Sequence, residues 1–528
     1  MDDTRQHVRV RDGDGDADGG DIEKGLSLEE KTKTAQVTTL PSSLCASQGK
    51  EQGQLDQGLP SSSSFFQRLA SHGVETRGIH PVALKDRNDR RPINIFSFWW
   101  TASLSLLPIT TGLVGTYFDG LSLEATCLTI LFFSLAGALP PACLGLLGPQ
   151  TGLRQMVQAR YSFGLYFVGV VALLNLATTT GWTIVSAIVA GQTLSAVSGG
   201  GLSWAVGIVI ISLIGLTISF MGYRVVHAYE RFAWIPALIA IVITVGCGGH
   251  LLKMQAPTDP AKASTVLTYG CVVTGFLMSW ATMVSDFCVY IHPSTSKIRI
   301  FSYTYFGLLI PTVPLMCLGA AIGGAIPSIP AWETAYGDGA IGGVALAMLH
   351  STGGFGKFVT VVLAFSVLGN MAGSMYSISV QFQILLGPVS ARVPRFVYSI
   401  VITAVVIAVS IPISHEFEES LESFLGVICY WVAIFVAIVS TEHLYFRRGD
   451  ASSYDHAIWN VGHKLPPGLA AMAASILPFG LIIPCMDESW YTGPIAKTTG
   501  DIGFEVGLVL GVLFYLPFRT LERRITGR

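Results

Sequence analysis

Twelve long apolar runs separated by short polar gaps fill the chain from Ile95 to about Phe518. A run of about twenty apolar residues matches the hydrocarbon thickness of a bilayer, and a helix satisfies its own backbone there. The pattern predicts an all-α integral membrane protein of twelve transmembrane helices, and it confines function to the few polar groups inside the bundle. Hydrophobic residues make up 51% of the 528 and charged residues 12%, too apolar for an ordinary soluble domain. The net charge of −2 argues against a nucleic-acid partner.

The spacing places spans near 95–118, 121–147, 163–196, 203–221, 231–252, 265–291, 300–326, 356–386, 396–414, 420–446, 466–486 and 502–519. Basic residues fall in alternate gaps: Lys85, Arg87, Arg90 and Arg91, then Arg154 and Arg160, then Arg224 and Arg231, then Lys297 and Arg299. Arg392 and Arg395, Arg447 and Arg448, and Arg519, Arg523 and Arg524 continue the series. The opposite gaps carry acids such as Glu416, Glu418, Glu419, Glu422, Asp487 and Glu488. By the positive-inside rule both termini are cytoplasmic.

Residues 1–91 are rich in Asp, Glu, Ser, Gln and Gly and bury too little to order themselves, so a disordered cytoplasmic tail is expected before a transporter domain at 92–528. The polar start, Met-Asp-Asp, lacks the pattern of a cleaved secretory signal. Lys24, Lys31, Lys33 and Ser61 to Ser64 are candidate modification sites for trafficking machinery, although a plain solvated tail explains them too.

Helix breakers lie at mid-depth: Pro108 and Gly112 in the first span, Pro140 and Pro141 in the second, Gly270 and Gly275 in the sixth. Breaks in the helices that begin each half of an inverted repeat free backbone groups to hold a substrate. The first and sixth spans are five apart, which fits a five-plus-five repeat; singly, each breaker also fits a packing kink.

A charge inside a bilayer is costly, so Asp286, late in the sixth span, stands out as a coupling or gating candidate. A structural acid, pairing with a loop cation or capping a backbone break, is the competing reading. Glu442 and His443 fit an interfacial salt bridge, and Glu505 meets the same discount. Asn370 in the eighth span offers a donor and an acceptor that match the edge of a heterocycle. Trp182 and Trp280 supply flat faces for stacking a planar ring. No phosphate loop, His-Glu-x-x-His or nucleophile elbow is present, so an enzyme is not expected. The nine cysteines are scattered, and His227, His250, His350 and His443 sit in separate elements, so neither a metal centre nor a cofactor is expected.

Several motifs carry a resemblance. Gly148-Pro-Gln-Thr-Gly-Leu-Arg-Gln-Met, Arg160-Tyr-Ser-Phe-Gly, Gly181-Trp182 with Gly191-Gln192, His227 to Pro236, Trp280 to Tyr290, Met375-Tyr-Ser, Met486 to Lys497 and Gly500 to Glu505 together resemble the nucleobase cation symporters, fungal purine-cytosine permease branch. The resemblance implies a leucine-transporter-like fold, ten helices in the inverted repeat and two peripheral, performing proton-coupled import of purines and cytosine at the plasma membrane. It places substrate binding on Thr101, Trp182, Trp280 and Asn370. This chain departs from the pattern where Ser103, Ser186 and Ser374 stand in place of the usual Asn. Each change trades an amide for a shorter hydroxyl, leaving a roomier site with altered donors. A pyridoxine-like vitamin, a nucleoside, a pathway metabolite, or a non-transporting nutrient receptor are the alternatives.

Overall fold

The first apolar run folds as two helices, α1 (Ile93–Ser103) and α2 (Leu106–Tyr117), bent by 52° at the break between them. In the computed structural model, which describes residues 78–220, 231–387, 393 and 395–528, Ser105 makes the restart. Its Oγ accepts the Leu107 N–H at 3.3 Å as an N-cap. The Leu106 N–H is taken by the Ser366 hydroxyl at 3.2 Å, at the break between α13 (Gly354–Phe365) and α14 (Leu368–Leu386). The break therefore precedes the expected Pro108 and Gly112. Pro108 lies in the first turn of α2, where no amide is needed. Gly112 instead permits close packing, since a Cβ there would run into the Met316 backbone on α11 (Lys297–Ala325).

The second run is α3 (Leu123–Gly137), followed by short α4 (Leu139–Leu144), which Pro140 and Pro141 begin, and α5 (Leu147–Thr151). Helix α6 (Gln155–Ser198) is interrupted at Gly164, φ 71° and ψ −179°, a conformation that favours glycine. The Pro466 carbonyl also presses on the space a side chain would take there. In the sixth run α9 (Ala263–Met278) gives way to a tight 3-10 turn at Ser279–Thr282, then α10 (Val284–Cys288). Here the break comes after Gly275, which serves to admit the Leu425 carbonyl of α16 (Phe417–Thr441).

Eight helical stretches among the described residues are long and apolar enough to cross a bilayer, and the bent α1–α2 pair makes a ninth. Helices α7 (Trp204–Phe220), α8 (Trp234–Gly248), α12 (Pro330–Met348) and α15 (Arg395–Ile413) fill the intervening runs, and three shorter apolar stretches lie at Trp204–Ile218, Val397–Ile413 and Leu469–Cys485. Helix α17 (Gly503–Thr526) packs on α16. The all-α membrane architecture expected from the apolar runs is the one observed.

Residues 78–91, grouped with the tail on composition, pack on this helical domain. The Val82 N–H donates to Gly152 O at 2.8 Å, Arg87 donates to the carbonyls of Pro149 and Gln150, and Asp89 bridges Ile291. The rest of the expected tail, with Lys24, Lys31, Lys33 and Ser61 to Ser64, lies outside the described residues, as do Arg224, His227 and Arg392.

Candidate functional site

Trp182 and Ser186 are one turn apart on α6 and face the same side. Trp182 is fully buried, and its indole N–H donates to the Ser279 hydroxyl at 3.2 Å. That bond fastens α6 to the 3-10 turn of the sixth run, where the next residue is Trp280. The two indoles stand parallel, centroids 6.3 Å apart and planes 14° apart. A planar ring held on both faces needs flanking rings about 7 Å apart, about 3.5 Å per face. The two centroids lie just inside that spacing.

Edge contacts hold both rings upright. Trp99 meets Trp280 at 5.2 Å and 72°, while Phe276 and Phe424 meet Trp182 at 5.0 Å and 5.9 Å, both near perpendicular. Phe424 covers Trp182 from α16, and Gly181 makes room for it, because a Cβ there would overlap the Phe424 ring.

Asn370, in the first turn of α14, is 1% exposed. The Ser186 hydroxyl lies 3.5 Å from its Oδ1 and 2.8 Å from the Trp182 carbonyl. A hydroxyl has one proton, which the nearer carbonyl takes, so the carboxamide is only loosely held. Its NH2 makes no hydrogen bond among the described residues. Thr101 lies against the same turn of α14, where a Cβ on Gly369 would sit 3.1 Å from its methyl group. Ser103 Oγ, Ser374 Oγ and the Trp99 indole nitrogen are buried without a partner among the described residues. Leaving such groups unpaired costs about 1–3 kcal/mol each.

Asp286 stands apart from this group. On α10, its Oδ1 accepts the Gln155 N–H at 2.9 Å, capping the start of α6. Beside it Arg154 donates to the Tyr376 hydroxyl at 2.9 Å, to Tyr290 at 3.4 Å and to the Gly78 carbonyl at 3.2 Å. The arrangement ties the start of α6 to α10 and α14. Glu442 lies in a buried ion cluster with Arg519 at 3.0 Å and Arg447 at 3.2 Å, as a salt bridge there would require.

Toward the other end, Tyr430 of α16 meets Glu488 at 2.8 Å and also Asp501. Burial holds the Glu488 carboxyl up at about 8 against the hydrogen bond from Tyr430, and neighbouring Asp501 adds to the rise.

Sequence reasoning missed Phe424, Ser279 and Ser366. A Phe in an apolar run carries no signal of its own, whereas a serine directly before Trp280 at a helix break is a readable one.

Over residues 81–507 the chain matches a family described as permease for cytosine/purines, uracil, thiamine, allantoin. It is 36% identical over 470 residues to the purine-cytosine permease fcyB of Emericella nidulans, covering 88% of this chain and 92% of that one. To the purine-cytosine permease FCY2 of Saccharomyces cerevisiae it is 33% identical over 528 residues, covering 96% and 98%. Its fold matches the closed, bromovinylhydantoin-bound structure of Mhp1, a nucleobase-cation-symport-1 family transporter, with TM-score 0.64 at 15% identity, covering 85% of this chain and 96% of that one.

Proposed function

The chain belongs to the permease family for cytosine/purines, uracil, thiamine and allantoin, in its fungal purine-cytosine branch, and from that premise we propose that it imports a purine- or cytosine-type nucleobase across the plasma membrane, coupled to protons, by alternating access. It is a transporter and not an enzyme. The observation that carries the substrate class is the parallel pair Trp182 and Trp280, joined by a loosely held carboxamide at Asn370.

In this reading the base enters between the indoles, which separate by a fraction of an ångström and stack on both its faces. Asn370 reads its polar edge, and Thr101, Ser103 and Ser186 supply short hydroxyls around it. Binding favours an occluded state under Phe424, and the bundle then rocks so that the Asp286 and Arg154 contacts part. Asp286 acts as a gate post between α10 and α6. Twelve spans follow if the eight long helices, the bent pair and the three shorter apolar helices all cross, in a five-plus-five repeat with two peripheral spans. Both termini then face the cytoplasm, since loops bearing Arg87, Arg154, Arg160 and Arg447 meet one another at one end.

Uptake of labelled cytosine, adenine and hypoxanthine in cells lacking their own carriers tests this. Saturable accumulation abolished by a protonophore supports it. Accumulation that ignores the protonophore removes proton coupling, and competition by pyridoxine or nucleosides but by no base removes the substrate class.

A further inference from the structure

Five arginines and two acids meet where α16 ends in a short π-helical turn, Glu442–Phe446, against the last turns of α17. The acids are spent: Glu442 pairs with Arg519 and Arg447, and Glu522 with Arg519 at 2.8 Å. Arg448, Arg523 and Arg524 are left with no carboxylate within 4.0 Å among the described residues. All three are exposed, and with Tyr445, Phe446 and Thr520 they line a cavity of about 700 Å³.

Two features hold the charges in place. Arg448 has φ 53°, a backbone conformation unusual for a side-chain-bearing residue, and lines the cavity beside Arg523 and Arg524. Arg523 lies over the Phe446 ring at 5.6 Å and donates to its carbonyl at 3.5 Å. Tyr445 of the lining and its chain neighbours Leu444, Leu521 and Ile525 are 66%, 68%, 55% and 74% exposed. An apolar rim around uncompensated guanidiniums at the end of spanning helices belongs at the boundary of hydrocarbon and headgroups. A free anion would gain nothing from apolar side chains there, whereas an acyl chain would.

We propose that this cleft between α16 and α17 binds the headgroup of an anionic phospholipid, with Arg448, Arg523 and Arg524 on the phosphate and the apolar rim against the acyl chains. The guanidinium fork suits phosphate oxygens bidentately. Since α16 also carries Phe424 onto Trp182, a lipid seated here braces the helix that covers the transport site.

The full-length protein in detergent, titrated with phosphatidylserine or phosphatidylcholine and read by native mass spectrometry, tests the site. Wild type is expected to retain phosphatidylserine at least about tenfold better, and the triple variant R448Q/R523Q/R524Q to lose that preference. Millimolar inorganic phosphate should leave the retained lipid in place. Equal retention of the two lipids, an unchanged preference in the triple variant, or displacement by phosphate each overturns the proposal. Should the triple variant not fold, a phosphatidylserine carrying a photoreactive acyl chain is cross-linked to wild type. Adducts on Leu444–Arg448 and Thr520–Ile525 support the site, and adducts confined to other segments contradict it.

Discussion

Phe424 stands edge-on to Trp182, centroids 5.9 Å apart and planes 79° apart, in space left by the missing side chain of Gly181. The substitution Gly181→Ala puts a methyl group into that ring, which must swing off Trp182. Uptake is expected to fall severalfold at normal surface level, and Gly181→Ala with Phe424→Leu should recover part of it. A single Gly181→Ala variant with wild-type uptake would show that the cover plays no part.

Asp286 caps α6 through one acceptor oxygen. Loss of such a cap costs about 0.5–2 kcal/mol, too little to unfold the domain. Asp286→Ala is expected to reduce uptake at least about tenfold, since about 1.4 kcal/mol at a gate contact is a factor of ten. Asp286→Asn keeps an acceptor oxygen and should retain most activity. An Asn variant as inactive as the Ala variant would assign the need to charge and not to the cap.

Glu488 gives a pH signature outside the spanning helices. Its folded carboxyl titrates at about 8 against 4.5 for the ordinary group, because burial disfavours the charge. The folded state therefore binds the proton more tightly. The stability it lends is fully present below about 4.5 and is lost as pH rises through about 8. Melting temperature in detergent is expected to fall between pH 5 and 9, and Glu488→Gln should flatten that fall. A slope unchanged in the variant would mean that Glu488 is not the titrating group.

Glu442 carries two guanidiniums in the buried cluster of α16 and α17. Breaking a buried pair by removing one partner costs about 3–5 kcal/mol, because the other charge stays unpaired. Glu442→Ala is expected to lose surface expression, measured by flow cytometry of a tagged chain. Replacing Glu442, Arg447, Arg519 and Glu522 together by Gln removes the whole cluster and should be milder than Glu442→Ala.

The helices were legible because a bilayer leaves apolar runs no other structure, and Trp182, Trp280 and Asn370 because polar and aromatic groups at that depth need a reason to be there. The breaks were legible in kind but not in place. Pro108, Gly112 and Gly275 mark flexible or closely packed positions, whereas the breaks at Ser105 and Ser279 rest on hydroxyl contacts to distant helices. Asp286 was visible as an anomaly, yet its cap on Gln155 depends on a partner in another helix. The contacts at Gly78 and Val82 were hidden because polar composition says nothing about a stretch of backbone pinned by Arg87 and Arg154.

The central claim is that the guest lies between Trp182 and Trp280. Stacking of a base on an aromatic face is worth about 1–3 kcal/mol, or about 5- to 150-fold in affinity. Equilibrium binding of labelled cytosine and adenine to purified protein should weaken by a factor in that range in Trp182→Leu and again in Trp280→Leu, while either Trp→Phe change keeps most of the affinity. Wild-type affinity in both Leu variants would contradict the account.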